Sequence, residues 1–138
     1  MGLDMYAYRA HQENARERWY ENASWDNESQ DFVNADPTVE KPVEIAYWRK
    51  HPNLHGRMKD LWERRGNWGS FNGDELELTL DDLIDLELAV KTKSLPPTTG
   101  FFFGNPSDEH YYEADLTFIA TARQAIAEGY RVFYNSSW

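Results

Sequence analysis

Tyr47, Trp48, Arg49 and Lys50, followed closely by His51 and His55, are the residues whose types and spacing best suit chemistry on an anion. Arg offers a planar fork of donors to phosphate or carboxylate, and Trp or Tyr offers a face on which a flat ring stacks. Six of the fourteen Lys and Arg residues lie between positions 49 and 65, opposed there only by Asp60 and Glu63, in a chain of net charge −10. The run YWRKHPNLHGRMKDLWERR from Tyr47 therefore reads as a site for a small anion carrying a ring, such as a nucleotide. A plainer reading is a packed helix with a salt-bridged outer face. The 24 acids make pairing of Arg49 and Lys50 easy. Arg57–Asp60 and Lys59–Glu63 have intrahelical pair spacing, and Arg64 and Arg65 fit a solvated face.

Other residue groups carry weaker signals. His51 and His55 are four apart, but Pro52 lies between them and no Glu completes an HExxH pattern, so no metal site is expected. His55 is read either as a structural histidine or as a ligand contact. The run GFFFG at 100–104 suits a strand buried on both faces, an oligomer interface or a pocket wall; in the last case Phe102 is the contact. Asp108, Glu109 and His110 open a helix, where an acid is explained by capping. Ser136 lacks the glycines and the placed base of a nucleophile elbow. Trp138 is expected to pack against the core or a neighbouring subunit, and to be available to a ligand there. No catalytic residue is assigned.

The elements that must position these groups follow from periodicity and breakers. Residues 3–8 alternate and read as a first strand. Helix is expected within 10–22. The segment 21–41 is polar, with six acids and no Lys or Arg over 21–40, and reads as a loop or mobile flap. Pro42 suits a helix start, giving a helix from there to about Lys50. A second helix follows, with Leu54, Met58, Leu61, Trp62 and Arg65 on one stripe and Gly66 as its stop. ELELTL at 75–80 reads as a short strand, and Thr79 with Asp82 as a capping box for a helix over about 80–93. The longest helix is expected over 109–128, apolar on two faces, with Gly129 as its cap. YRVFYNSSW reads as a last strand. The sum is a single α+β domain over 1–138: a small antiparallel sheet containing the N- and C-terminal strands, packed against three or four helices, with helix outweighing strand.

Composition narrows the function classes. A chain of 138 residues supports one core. Net charge −10 opposes general binding to nucleic acid or anionic lipid. The absence of cysteine excludes disulfides, zinc–thiolate sites and Cys nucleophiles. No signal-peptide core, membrane-length apolar run or myristoylation signal is read, so the expected location is cytoplasmic.

Five stretches together, MGLDMYAYR, EIAYWRKHPNLHG, LPPTTGFFFG, the DL at 115–116 and the closing FYNSSW, resemble a family of short uncharacterised proteins of phages, prophages and plasmids. The resemblance spans most of the chain outside 10–40; Asn135 with Ser136–Ser137 and the acidic 21–40 segment depart from the pattern. Members are sometimes labelled phosphoglycerate kinase, a label that one small domain without a phosphate-binding glycine loop does not support. The resemblance implies a small accessory protein of a mobile element, of a kind that counters host defence.

The leading expectation is a non-enzymatic homo-oligomeric protein that sequesters a small anionic ligand, a nucleotide or cyclic nucleotide, using Tyr47, Trp48, Arg49, Lys50, His55, Phe102 and Trp138, without cofactor or metal. The rival is an acidic, DNA-mimic-like inhibitor that presents 21–40 and 74–88 to a host protein. A hydrolase using His55 and a carboxylate is the third reading.

Overall fold

A four-stranded sheet organises this molecule. The computed structural model describes residues 2–34, 36, 38–98 and 108–138. In chain order the elements are β1 (Asp4–Ala10), α1 (Ala15–Glu21), β2 (Ala23–Asp26), β3 (Asp31–Asn34), β4 (Val43–Arg49), α2 (Pro52–Arg64), β5 (Leu76–Leu78), α3 (Leu80–Lys91), α4 (Asp108–Ala127) and β6 (Arg131–Ser137). Strands β4, β1, β6 and β5 form one antiparallel sheet in that order, and β2 with β3 forms a separate hairpin. The terminal strands β1 and β6 are thus the two central strands, and helix outweighs strand. The fold is α+β, as the residue pattern implies.

The register assigns side chains to faces. Met5 lies opposite Trp48 and Ser136, and Ala7 opposite Ala46 and Tyr134. These residues join Leu76, Leu78 and Val132 on the face covered by α2, α3 and α4, where the main core sits. Leu54, Met58 and Trp62 of α2, Leu83 and Leu86 of α3, and Phe118, Ile119 and Ala122 of α4 complete it. Each such side chain contributes about 1.5–3 kcal/mol when fully buried. Asp4, Tyr6 and Tyr8 of β1 point to the opposite face with Tyr47, Arg49 and Phe133, and α1 covers part of it through Ala15, which packs with Tyr8, Ala10 and Phe133. One irregularity interrupts the β1–β4 ladder: Ala7 pairs with Ala46, but Tyr8 pairs with Glu44, so Ile45 is an extra residue.

Three expectations are corrected. Residues 43–49 are a strand, not a helix; Val43, Ile45, Tyr47 and Trp48 are strand formers, and pairing with β1 outweighs the helix-start signal of Pro42. Pro52 instead occupies the first turn of α2, where its missing N–H costs nothing. The 21–41 segment is not wholly loop. Asp26, Glu28 and Asp31 sit at the hairpin turn, where the Asp26 carboxylate accepts from the N–H and the hydroxyl of Ser29, while Trp25 and Phe32 face one another across the ladder. Helix α4 buries one stripe rather than two faces: Phe118, Ile119, Ala122 and Ala125 are buried, whereas Ala120 and Ala127 are exposed. The capping box of Thr79 and Asp82 is present, and Gly129 ends α4 in the left-handed region at φ 94. The expectation for 100–107, including GFFFG and Phe102, lies outside the described residues.

Among the described glycines, Gly56 has the tightest surroundings. A Cβ there would stand 1.9 Å from Oγ1 of Thr98, whose own N–H is held by Oδ1 of Asn53 at 2.9 Å. Gly56→Ala is therefore expected to lower the unfolding free energy by about 1–3 kcal/mol in urea denaturation. Thr98→Gly in the same chain should recover part of that loss, because the two sites share one contact.

Candidate functional site

Alternation separates the residues that the sequence grouped together. Trp48 faces the helices, is 1 % exposed, and its indole Nε1–H donates to Asp115 Oδ1 at 3.0 Å while its ring meets Phe118 edge-on. Tyr47 and Arg49 face the other way and converge on Asp4, the phenol donating at 2.6 Å and the guanidinium at 3.3 Å. Lys50 ends the strand in the left-handed region, its N–H donating to the carbonyl of Leu3. His55 is buried on the helix side, stacked on Phe71, with Nδ1 2.7 Å from the Tyr134 hydroxyl. Trp138 is half-buried near His55, its indole donating to the carbonyl of Phe71 and its backbone N–H to Asn72. Trp48 and His55 thus lie on the helix side of the sheet and Arg49 on the other, so the sheet stands between Arg49 and the other two.

On the helix side the polar groups hold one another. Asp115 and His51 are both buried, with Oδ2 and Nε2 2.8 Å apart, and the His51 ring stacks on Tyr111. The Tyr111 hydroxyl donates to the carbonyl of Arg49 and accepts from its N–H. A carboxylate–imidazole pair has the makings of acid–base catalysis. Here it is closed to solvent and acts as a clamp between β4, the start of α2 and α4. His55 is no cation either. Burial, then the nearby Lys59, lowers its pKa to about 4, and burial raises the Tyr134 phenol well above its ordinary value. Both groups are neutral near pH 7. Among the described residues, no group of three or more His, Cys, Asp or Glu is placed to hold a metal ion.

Four concavities among the described residues differ in the charge they offer. One of about 390 Å³ between α3 and α4 sets Glu109 and Asp115 against Lys93. Another of about 460 Å³ contains Lys91 and Arg123, both already bound to Glu87 at 2.8 and 3.0 Å. A small cleft beside α2 opposes Arg57 and Arg64 with Asp82 and Asp85. The fourth, about 350 Å³, lies on the open face of the sheet.

That groove is built by β1, α1 and the residues leading into β4. Tyr6 and Tyr8 reach it because they are two apart on one strand, and Trp19 and Tyr20 reach it from the last turn of α1. The Arg16 guanidinium lies 5.3 Å from the Tyr20 ring centre and 5.9 Å from that of Tyr6. Lys41 Nζ lies 4.7 Å from the centre of the Trp19 ring. Neither cation is ion-paired among the described residues. Pro42 and Glu44 close the rim. Tyr47 borders the groove through its ring contact with Tyr6, 5.3 Å between centres, and Arg49 acts electrostatically on the same Tyr6. Sequence reasoning passed over Arg16, Trp19, Tyr20 and Lys41, which lie far apart in the chain; the available signal was the Tyr6–Tyr8 spacing on a strand that also had to bury Met5 and Ala7.

The His55 shift has a measurable consequence. Its folded pKa lies below the unfolded value of about 6.5, so the unfolded chain binds the extra proton first. Stability from this group is complete above about pH 6.5 and is lost as pH falls toward 4, by up to about 3 kcal/mol. His55→Gln should flatten the pH dependence of urea unfolding across that window.

Comparison with protein-family models, with curated proteins and with solved structures finds no match to this chain.

Proposed function

We propose that this chain is a non-enzymatic binding protein that sequesters a small anionic, ring-bearing molecule, a nucleotide being the type, in the groove between β1, α1 and the approach to β4. The observation that carries this reading is the lining itself: four aromatic residues with Arg16 and Lys41 around one open volume of about 350 Å³. That volume falls in the range of small-molecule sites. The guanidinium and ammonium supply charge-assisted hydrogen bonds to phosphate, and Tyr6 and Tyr20, less buried than Tyr8 and Trp19, supply stacking faces. Of the other three concavities, two set at least as many carboxylates as cations and one has both cations paired to Glu87, whereas this groove sets the single carboxylate of Glu44 against two cations unpaired among the described residues. Relative to the sequence expectation, the anion site keeps its chemistry and moves to other residues, with Tyr47 and Arg49 at its margin.

Sequestration is preferred over turnover because His51 is fully buried and Asp115, which borders the concavity between α3 and α4, is committed to Trp48 and His51. The resemblance to small mobile-element proteins supports a role against host defence in the host cytoplasm, and no described helix is long and apolar enough to cross a membrane. A homo-oligomer remains part of the proposal, since β4 is an edge strand with Val43 and Tyr47 about half exposed. The second reading, an inhibitor of a basic host protein, is favoured by one feature: Trp25 and Phe32 stand exposed on the hairpin beside Asp26 and Asp31.

Isothermal titration with nucleoside monophosphates tests the first reading. Binding should weaken about tenfold or more in Arg16→Ala and in Lys41→Ala, the loss expected for a hydrogen bond to a charged group. Arg49→Ala, whose guanidinium already pairs with Asp4, should change it little. Unchanged affinity in both Arg16→Ala and Lys41→Ala would place any bound anion elsewhere.

A further inference from the structure

Glu44 is the one carboxylate among the residues lining the proposed groove, and a backbone irregularity puts it there. In an unbroken β1–β4 ladder, Tyr8 would face Ile45, and Glu44 would point with Ala46 toward the helices. The extra residue, Ile45, between Glu44 and Ala46 reverses this. Ile45 packs against the main core, and Glu44 stands opposite Tyr8 on the open face. Bulges of this kind re-aim a side chain.

A carboxylate at the rim of an anion site lowers affinity for the anion unless it meets a donor. Among the described residues, Glu44 lies in no ion pair, so neither Arg16 nor Lys41 of the same groove is within 4 Å of its carboxylate. Both carboxylate oxygens are acceptors only. They match a ring edge that carries two adjacent N–H donors, and such a bidentate pair discriminates strongly between bases. Resting on the ligand reading above, we infer that Glu44 is a specificity-determining residue and that the ligand class is a phosphate whose ring edge presents two adjacent N–H donors, as guanine does. The phosphate is held by Arg16 and Lys41, the ring lies among Tyr6, Tyr20 and Trp19, and the donor edge meets Glu44.

Calorimetric titration of the intact protein with four probes tests this: guanosine, inosine and adenosine monophosphates, and phenyl phosphate. Their ring edges offer two adjacent donors, a single ring N–H, an amino group beside an acceptor, and none. Guanosine monophosphate should bind about tenfold or more tightly than adenosine monophosphate or phenyl phosphate, with inosine monophosphate between. Glu44→Gln should weaken guanosine monophosphate binding about tenfold and leave phenyl phosphate equal or tighter, because a negative charge has gone. A merely damaged groove would weaken both. Equal binding of all four probes by the native protein overturns the role of Glu44 while leaving the anion site intact. Uniform tightening of all four in Glu44→Gln does the same, and makes Glu44 a repelling rim charge. Failure of every probe to bind a protein that unfolds cooperatively overturns the ligand reading itself, and this inference with it.

Discussion

The Asp115 carboxylate is the constraint on which the arrangement of this protein turns. It is buried, and it is held by the Trp48 indole at 3.0 Å and by His51 at 2.8 Å. Burying a carboxylate costs several kcal/mol, and the cost is offset only where its oxygens are met by good donors. Meeting them requires Trp48 to point at α4 and His51 to stand at the head of α2. Once Trp48 points inward, the period of two along a strand sends Tyr47 and Arg49 outward, and a one-residue slip of β4 would exchange the two sets. The clamp therefore sets which residues of β4 the open face receives. It also closes one end of the β4 edge, because Tyr111, stacked on His51, satisfies both backbone groups of Arg49.

The sheet thereby separates two kinds of polar chemistry. On the helix side Trp48 and His51 are bonded to the buried Asp115, and His55 and Tyr134, in contact with each other, are kept neutral by burial. Such groups specify the packing and offer nothing to a ligand in water. On the open face, α1 covers only the end of the sheet near Tyr8 and Phe133. Arg16 and Lys41 rest over aromatic rings there, an arrangement that holds a cation without neutralising it. Arg131 shows the alternative on the same face: it is bound by both Glu77 and Glu13, which leaves it little to give an anion. Arg9 over Tyr130 is ring-supported as well, but only Arg16 and Lys41 bring such cations to the lining of the groove.

Much of the fold was legible because local signals and burial agreed. The alternation of residues 3–8, the stripe from Leu54 to Trp62, the Thr79–Asp82 capping box and Gly129 each specify an element without reference to the rest of the chain. The failures came where a local signal met a non-local partner. Pro42 suggested a helix, but β1 needed an edge partner and Val43–Arg49 could supply it. The acids of 21–40 suggested an unstructured segment, but Trp25 and Phe32 supply a cross-strand pair. The candidate site was legible in kind and not in place. The basic, aromatic run from Tyr47 announced cations beside rings, yet half of it is core and half is surface. The groove residues come from positions 6–8, 16–20 and 41–44, and only the folded chain brings them together.

Indole N–H resonances offer the most direct test of where the ligand lies. The chain has six tryptophans, of which Trp19 lines the groove, Trp48 is locked to Asp115, and Trp138 is bound to Phe71 on the far side. Titration of ¹⁵N-labelled protein with guanosine monophosphate should shift Trp19 and leave Trp48 and Trp138 unmoved. Shifts at Trp48 or Trp138 with Trp19 unchanged would place the ligand on the helix side and contradict the groove.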